Sequence, residues 1–176
     1  MPTILVAAIL IIAIIIICLL LISITNQQKK HLMNQILKHF SKLGTHFNLS
    51  FSSQEILSNV VIGLDGINRK ILILEYMGST LNDYVIDLNE VKHCSVKKYY
   101  GNIKADGLRT DVIDTFLEKV CVHFEMHKGK DSHEVVFYNH IYNHVYQLSV
   151  LEQKATHWKE LLTKMLKAGK AEISNS

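Results

Sequence analysis

The chain has 176 residues, of which 48% are hydrophobic, with three cysteines and one proline. Its formal net charge of +3 is small, because 19 Lys and Arg residues stand against 16 Asp and Glu residues. This balance gives no global electrostatic support for a nucleic-acid partner, and three cysteines without paired spacing do not suggest a disulfide framework.

An unbroken apolar run opens the chain, from Ile4 to Ile24, and no charged residue occurs between Met1 and Gln28. A helix of this length rises about 31 Å, close to the bilayer's hydrocarbon core of about 30 Å. A cleaved signal peptide fits less well, because nothing basic precedes the run and no small-residue cleavage site follows it. We therefore predict a transmembrane helix over residues 1–25.

Basic residues flank only the C-terminal side of this run, before the first acidic residue, Glu55. They are Lys29, Lys30, Lys38 and Lys42. Basic residues next to a span stay on the cytoplasmic side of a membrane. The sequence therefore predicts a single-pass protein of the cell membrane, with its N-terminus outside and its C-terminal domain in the cytoplasm.

Segment 26–44 carries apolar residues at steps of three and four, which predict a juxtamembrane amphipathic helix ending at Gly44. These residues are Leu32, Met33, Ile36, Leu37, Phe40 and Leu43. Two interpretations remain open. The basic face rests near anionic lipid headgroups, or the apolar stripe packs on the following domain or on a second copy of itself. Packing on a second copy would make this helix a site of homo-oligomerisation.

From residue 47 onward, short alternating segments separated by turn residues predict antiparallel strands. The six strands are Ser58–Leu64, Arg69–Tyr76, Tyr84–Leu88, Glu90–Tyr100, Thr115–His127 and Glu134–Tyr138. A seventh is placed at Phe47–Phe51 or at Ile103–Leu108. Asp65-Gly66 supplies the turn of the first hairpin, since both residue types tolerate a positive φ.

The chain closes with an amphipathic helix from Val145 to Ala168 and a polar tail, 170–176. Its apolar face includes Trp158 between Leu151 and Leu162. Residues 45–169 are therefore predicted to form one α+β domain that is mainly antiparallel β. Its six to seven strands would form a bent sheet or a partly open barrel, capped by the C-terminal helix.

The order of these elements resembles a bacterial pleckstrin-homology-like (PH-like) domain over about Ser50–Ala168. The resemblance is carried by Leu64-Asp65-Gly66, Asn68-Arg69-Lys70-Ile71, the segment Tyr84–Val91 and Trp158 on the closing helix. In phosphoinositide-binding members of that superfamily, basic residues around the first hairpin hold phosphate, and Arg69 and Lys70 match that location. Many bacterial relatives act as protein-interaction or scaffold modules, which is what the resemblance implies here.

Residues of the types used in catalysis and metal binding occur in the sequence, but not at the spacing that such sites need. His140 and His144 have the i, i+4 spacing of a metal clamp, but no third ligand follows at a recognisable distance. Cys94 and Cys121 fall in strand-like segments, where buried packing is the usual role of cysteine. We predict no catalytic residue, no metal, no cofactor and no enzyme activity.

An aromatic group near the strand ends has two interpretations. Its members are Tyr99, Tyr100, Phe137, Tyr138, Tyr142 and Tyr146. They are residues at the edge of the core, or they form, with Lys97, Lys98 and Lys104, an exposed patch for a peptide or partner strand. The candidate binding residues are Arg69, Lys70, Lys97, Lys98, Tyr99 and Tyr100.

Two functional hypotheses follow from these observations. The first is a membrane-anchored, cytoplasm-facing module that recruits a protein partner, or a lipid, to the membrane. The second is a structural subunit of a membrane-borne envelope or secretion assembly. The lysine flank favours the first hypothesis, because outward-facing assembly components would carry their domain on the other side of the membrane.

Overall fold

A computed structural model describes residues 2–77, 80–102, 115–127 and 131–174. The chain divides into two compact units, Met1–Thr45 and His46–Ser176. The predicted strand at Ile103–Leu108 and the candidate residue Lys104 lie outside the described residues.

The first unit is one helix, α1, whose bounds are Pro2–His46. Within the described part of the chain, no helix combines the length and the apolarity needed to cross a bilayer. A span needs about 20 consecutive apolar residues. The prediction of a transmembrane helix over residues 1–25 is therefore contradicted.

The predictions that depended on this transmembrane helix are therefore also wrong. They are the single-pass location in the cell membrane and the orientation with the C-terminal domain in the cytoplasm. The helix runs without a break through both segments that the sequence separated, 1–25 and 26–44. Of its lysines, Lys30, Lys38 and Lys42 are exposed, and the side chain of Lys29 lies outside the described part.

The second unit contains seven described strands in two antiparallel sheets, followed by a helix. The first sheet is a four-stranded meander of β1 (Ser53–Ile56), β2 (Val60–Asp65), β3 (Lys70–Met77) and β4 (Thr80–Asp87). The second contains β5 (Val91–Asn102), β6 (Thr115–Met126) and β7 (His133–Asn139). The helix α2 covers Leu148–Ser174. The antiparallel β fold is confirmed, but two sheets replace the predicted bent sheet or partly open barrel.

The first strand of the meander was not predicted from its own sequence. β1 consists of Ser53–Ile56, whereas the alternating segment Phe47–Phe51 precedes it without being a strand. β1 has little apolar pattern and owes its conformation to pairing with β2, where Ser53 lies opposite Leu64 and Ile56 opposite Val61. Non-local pairing of this kind leaves no periodic signal in a short polar segment.

The chain passes from the first sheet to the second through a short 3-10 helix, Leu88–Glu90. The Asp87 carboxylate caps it by accepting from the Asn89 amide at 2.9 Å. The Leu88 amide donates to the Arg69 carbonyl at 2.8 Å. This corner redirects the chain, so that β4 pairs with β3 and β5 pairs with β6. The predicted strands Tyr84–Leu88 and Glu90–Tyr100 had left only Asn89 between them.

The turn between β2 and β3 is organised around the fully buried carboxylate of Asp65. It accepts hydrogen bonds from the amides of Ser50, Ile67 and Asn68 and from the Asn68 side chain, at 2.7 to 3.0 Å. Burial alone raises the pKa of Asp65, but these four bonds outweigh it and lower the pKa below its ordinary value. Arg69 is the residue of this turn that adopts a positive φ, of 54°.

The apolar face of α2 closes the core. Trp158 and Leu162 line a small internal void together with residues from both sheets. The sheet residues around this void are Ile62, Ile71, Val122, Phe124, Val135 and Phe137. The predicted burial of Trp158 is confirmed, since the side chain is only 3% exposed. One helix therefore contributes side chains to a core that both sheets share.

Replacing Trp158 by alanine should lower the free energy of unfolding by about 3 to 5 kcal/mol, because it leaves a large cavity in this core. The matched control is Lys164→Ala on the exposed side of the same helix, which should change stability by less than about 0.5 kcal/mol. Urea unfolding measures the stability of both variants. Circular dichroism is the probe, because Trp158→Ala removes the only tryptophan and with it the tryptophan fluorescence signal. Equal effects would show that this face of α2 is not docked.

Replacing Asp65 by asparagine should destabilise the fold at pH 7 by about 1.5 to 3 kcal/mol, the range for hydrogen bonds to a charged group. The folded pKa is lowered, so the ionised carboxylate stabilises the fold above its unfolded pKa of about 3.9. This stabilisation disappears as the pH falls through the folded pKa. Urea unfolding of both proteins at pH 7 and pH 3 should show the difference narrowing in acid. Asp83→Asn, at an exposed position on β4, should show no such pH-dependent difference.

Candidate interaction surface

The predicted patch on β5 is divided between the two faces of the second sheet. Successive side chains of a strand point to opposite faces. Lys98 therefore faces α2, where it forms an ion pair with Glu152, and Tyr100 follows on the same face, 60% exposed. Lys97 and Tyr99 lie on the outer face. The structure does not bring these four residues into one surface.

The outer face holds a polar cluster around Glu134 of β7. The Tyr99 hydroxyl donates to Glu134, whose other oxygen accepts from Lys119 at 3.2 Å. His123 Nδ1 lies 3.3 Å from the same carboxylate. Burial alone raises the pKa of Glu134, but the bonds from Tyr99 and Lys119 lower it overall. The bond to Glu134 also raises the pKa of Tyr99 to about 12. Tyr99 therefore links β5 to β7 through a side-chain hydrogen bond.

Arg69 is used inside the fold. Its Nε donates to Asn89 Oδ1 at 2.8 Å, and its Nη1 donates to the Met165 carbonyl at 3.0 Å. The guanidinium thereby joins the β2–β3 turn to the 3-10 corner and to α2. The neighbouring Lys70 lies opposite two acidic residues in the strand register, Asp65 and Asp87. This environment opposes phosphate binding, because carboxylates repel an anion.

The residues with nucleophilic or metal-binding chemistry lie apart. Burial raises the pKa of both Cys94 and Cys121 to about 12, so neither forms a thiolate at neutral pH. His140 packs edge-on against Phe116, whereas His144 stacks on Tyr146. Among the described residues, no three His, Cys, Asp or Glu side chains converge as metal ligands.

Among the described residues of the second unit, the most concentrated apolar exposure lies on the connection between β7 and α2. Five large apolar side chains within ten residues are between 49% and 77% exposed. They are Ile141, Tyr142, Val145, Tyr146 and Val150, and we call them the 141–150 surface. Single exposed apolar residues are ordinary on a protein surface, whereas a large contiguous apolar patch is typical of an interaction site.

The backbone that carries this surface is fixed by a buried asparagine. Asn143 is 7% exposed, and its side-chain oxygen accepts from the Asn139 amide at 3.0 Å. Its side-chain nitrogen donates to the Ser58 hydroxyl on the turn between β1 and β2. The Asn139 side chain accepts in turn from the Ile141 amide at 2.9 Å. The connection is therefore anchored to both sheets.

A second set of bonds fixes the short 3-10 helix Val145–Gln147, which precedes α2. The His144 amide donates to the Gln147 side chain at 3.0 Å, and the Gln147 amide donates to the His144 carbonyl at 2.9 Å. The His144 ring lies nearly parallel to Tyr146, with 5.2 Å between ring centres. Tyr146 is thus held in place although it is 76% exposed.

Two open grooves meet at Tyr146. One, of about 400 Å³, runs between β1 and α2 and is lined by Ile56, Val150 and Lys154 among others. The other, of about 760 Å³, continues along α2 past Glu152 and Glu160. Three apolar side chains of the 141–150 surface, Val145, Tyr146 and Val150, therefore border concave space, which is the shape that a bound segment needs.

Comparison of the chain with protein-family models, with curated proteins and with solved structures finds no match to any of them.

The sequence indicated part of this surface. Tyr142 and Tyr146 belong to the predicted aromatic group, whereas Phe137 and Tyr138 of that group are buried in the core. Ile141, Val145 and Val150 were missed. The available signal was that Val145 and Val150 do not belong to the buried stripe of α2, which contains Leu151, Ala155, Trp158, Leu162 and Leu166.

Replacing Asn143 by alanine should destabilise the protein by about 1 to 3 kcal/mol, because the Asn139 amide loses its partner in a buried place. The matched control is Asn82→Ala at an exposed position on β4, which should cost less than about 0.5 kcal/mol. Thermal unfolding measures the loss, and amide exchange of residues 139–147 should accelerate in the Asn143 variant only. Unchanged exchange would mean that the connection is fixed by other contacts.

Proposed function

We propose that the second unit is a protein-interaction module whose contact site is the 141–150 surface. The observation that carries the proposal is the group of exposed apolar side chains held on a rigid connection. Exposing them to water is unfavourable by about 25 cal/mol per Å² of apolar area. A partner that covers them recovers this free energy.

Rigidity adds to the case for binding. A connection already fixed by Asn143 and by the His144–Gln147 bonds loses little conformational entropy when a partner docks. Tyrosine at the centre of such a surface is typical of the residues that dominate binding energy, because it combines a large apolar ring with a polar hydroxyl. Tyr146, which borders both grooves, is the expected centre.

We also propose that this unit is PH-like. Two antiparallel sheets of four and three strands with a C-terminal helix support this proposal, as does the position of Tyr84–Val91 at the corner between the sheets. Within such a fold, a protein partner is favoured over a phosphoinositide headgroup, because Arg69 is engaged by Asn89 and Met165.

A photo-cross-linking residue in the full chain tests the proposed function. At position 145, on the surface, it should give a discrete protein adduct in the cells from which the chain comes. At position 164, on the exposed side of α2, it should give none. Identification of the adduct by mass spectrometry then allows the affinity of the purified partner to be measured.

Tyr146→Ser should weaken the binding of this partner at least tenfold, the loss expected from truncating a central contact residue. Lys164→Ala is the matched control and should leave the affinity unchanged. A position-145 adduct that is absent, or that forms equally at position 164, would show that the 141–150 surface is not a contact site.

A further inference from the structure

β1 is an edge strand of the first sheet, since β2 is its partner within the described sheets. The Leu57 amide donates to the Val60 carbonyl at 2.8 Å, so the backbone of residue 57 faces β2. Backbone groups along an antiparallel strand face the partner at every second residue. Residues 53 and 55 therefore also face β2, and the N–H and C=O groups of Gln54 and Ile56 point to the free side.

The groove beside this edge has apolar side chains on both of its walls. Ile56 of β1, 44% exposed, stands at one wall, and Tyr146 and Val150 stand at the other. Of the described residues that line it, Lys154 is the one with a charge. Its ammonium donates to Glu55 at 2.8 Å. An ammonium has three donors, so further donors remain for a hydrogen-bond acceptor in the groove.

We infer that the free edge of β1 accepts an extended segment of a partner protein as an additional strand. The inference rests on the proposed function and names the form of the bound segment. Unpaired backbone groups at a sheet edge require a partner with its own free N–H and C=O groups, which an extended chain has and a helix does not. Helical ligands satisfy their backbone groups internally.

The groove also defines the side chains of this segment. Alternate residues of an added strand point to one side, where they meet Ile56, Val150 and Tyr146. These positions take valine, isoleucine or leucine. The residue that reaches Lys154 carries a hydrogen-bond acceptor, because the ammonium keeps free donors beside its bond to Glu55.

The test uses the full chain and a fluorescein-labelled octapeptide of alternating threonine and valine that ends in aspartate. Fluorescence anisotropy should show saturable binding to the natural sequence. Gln54→Pro should weaken it at least tenfold, because proline removes an N–H that points to the free side and is tolerated at sheet edges in that position. Gln54→Ala is the matched control and should leave the affinity unchanged. A peptide ending in valine, whose side chain offers no acceptor to Lys154, should bind several-fold more weakly.

Amide hydrogen exchange gives a second measurement that does not depend on the folding of the proline variant. Peptide binding should slow exchange at Gln54 and Ile56 at least tenfold, while Glu55 changes little because it already faces β2. Binding that survives Gln54→Pro, unchanged exchange at these two amides, or no binding of the peptide would each overturn the added strand. If the cross-link at position 145 still forms when these tests fail, the proposed function stands without the added strand.

Discussion

The shared packing of α2 is the interaction on which the rest of the second unit depends. Trp158 and Leu162 meet Ile62 and Ile71 of the first sheet and Val122 of the second around one small void. Open sheets of this size need a covering element to bury their apolar faces. Here the apolar face of α2 covers both sheets. The corner at Leu88–Glu90 connects the two sheets and places them against this face.

Arg69 shows how the fold uses residues that would otherwise serve a ligand. Its backbone adopts a φ of 54°, and its guanidinium bonds to Asn89 and Met165. These contacts join the β2–β3 turn, the corner and the helix. A basic residue next to a hairpin suggests phosphate recognition only while its side chain is free. In this chain its hydrogen-bonding capacity is directed to the interior contacts that position α2.

The proposed contact site combines two kinds of group that a partner could bind, and they lie on neighbouring elements. The 141–150 surface presents apolar area, whereas the free edge of β1 presents backbone donors and acceptors. Asn143 connects them physically, because it holds the β7–α2 connection to the Ser58 turn next to β1. A partner that fills the groove at Tyr146 therefore meets both. Sequence patterns gave little indication of this site, since Asn143 and Ser58 are 85 positions apart.

The sequence by itself determined the local features of the second unit. Alternation placed β2, β3, β6 and β7, helical spacing placed the buried face of α2 with Trp158, and Asp65-Gly66 marked the first turn. Tertiary structure decided the pairing of strands at the Asn89 corner and the strand character of β1. It also contradicted the membrane span drawn from local apolarity alone. Periodicity reports which side chains share a face, but only the packed chain determines what that face meets.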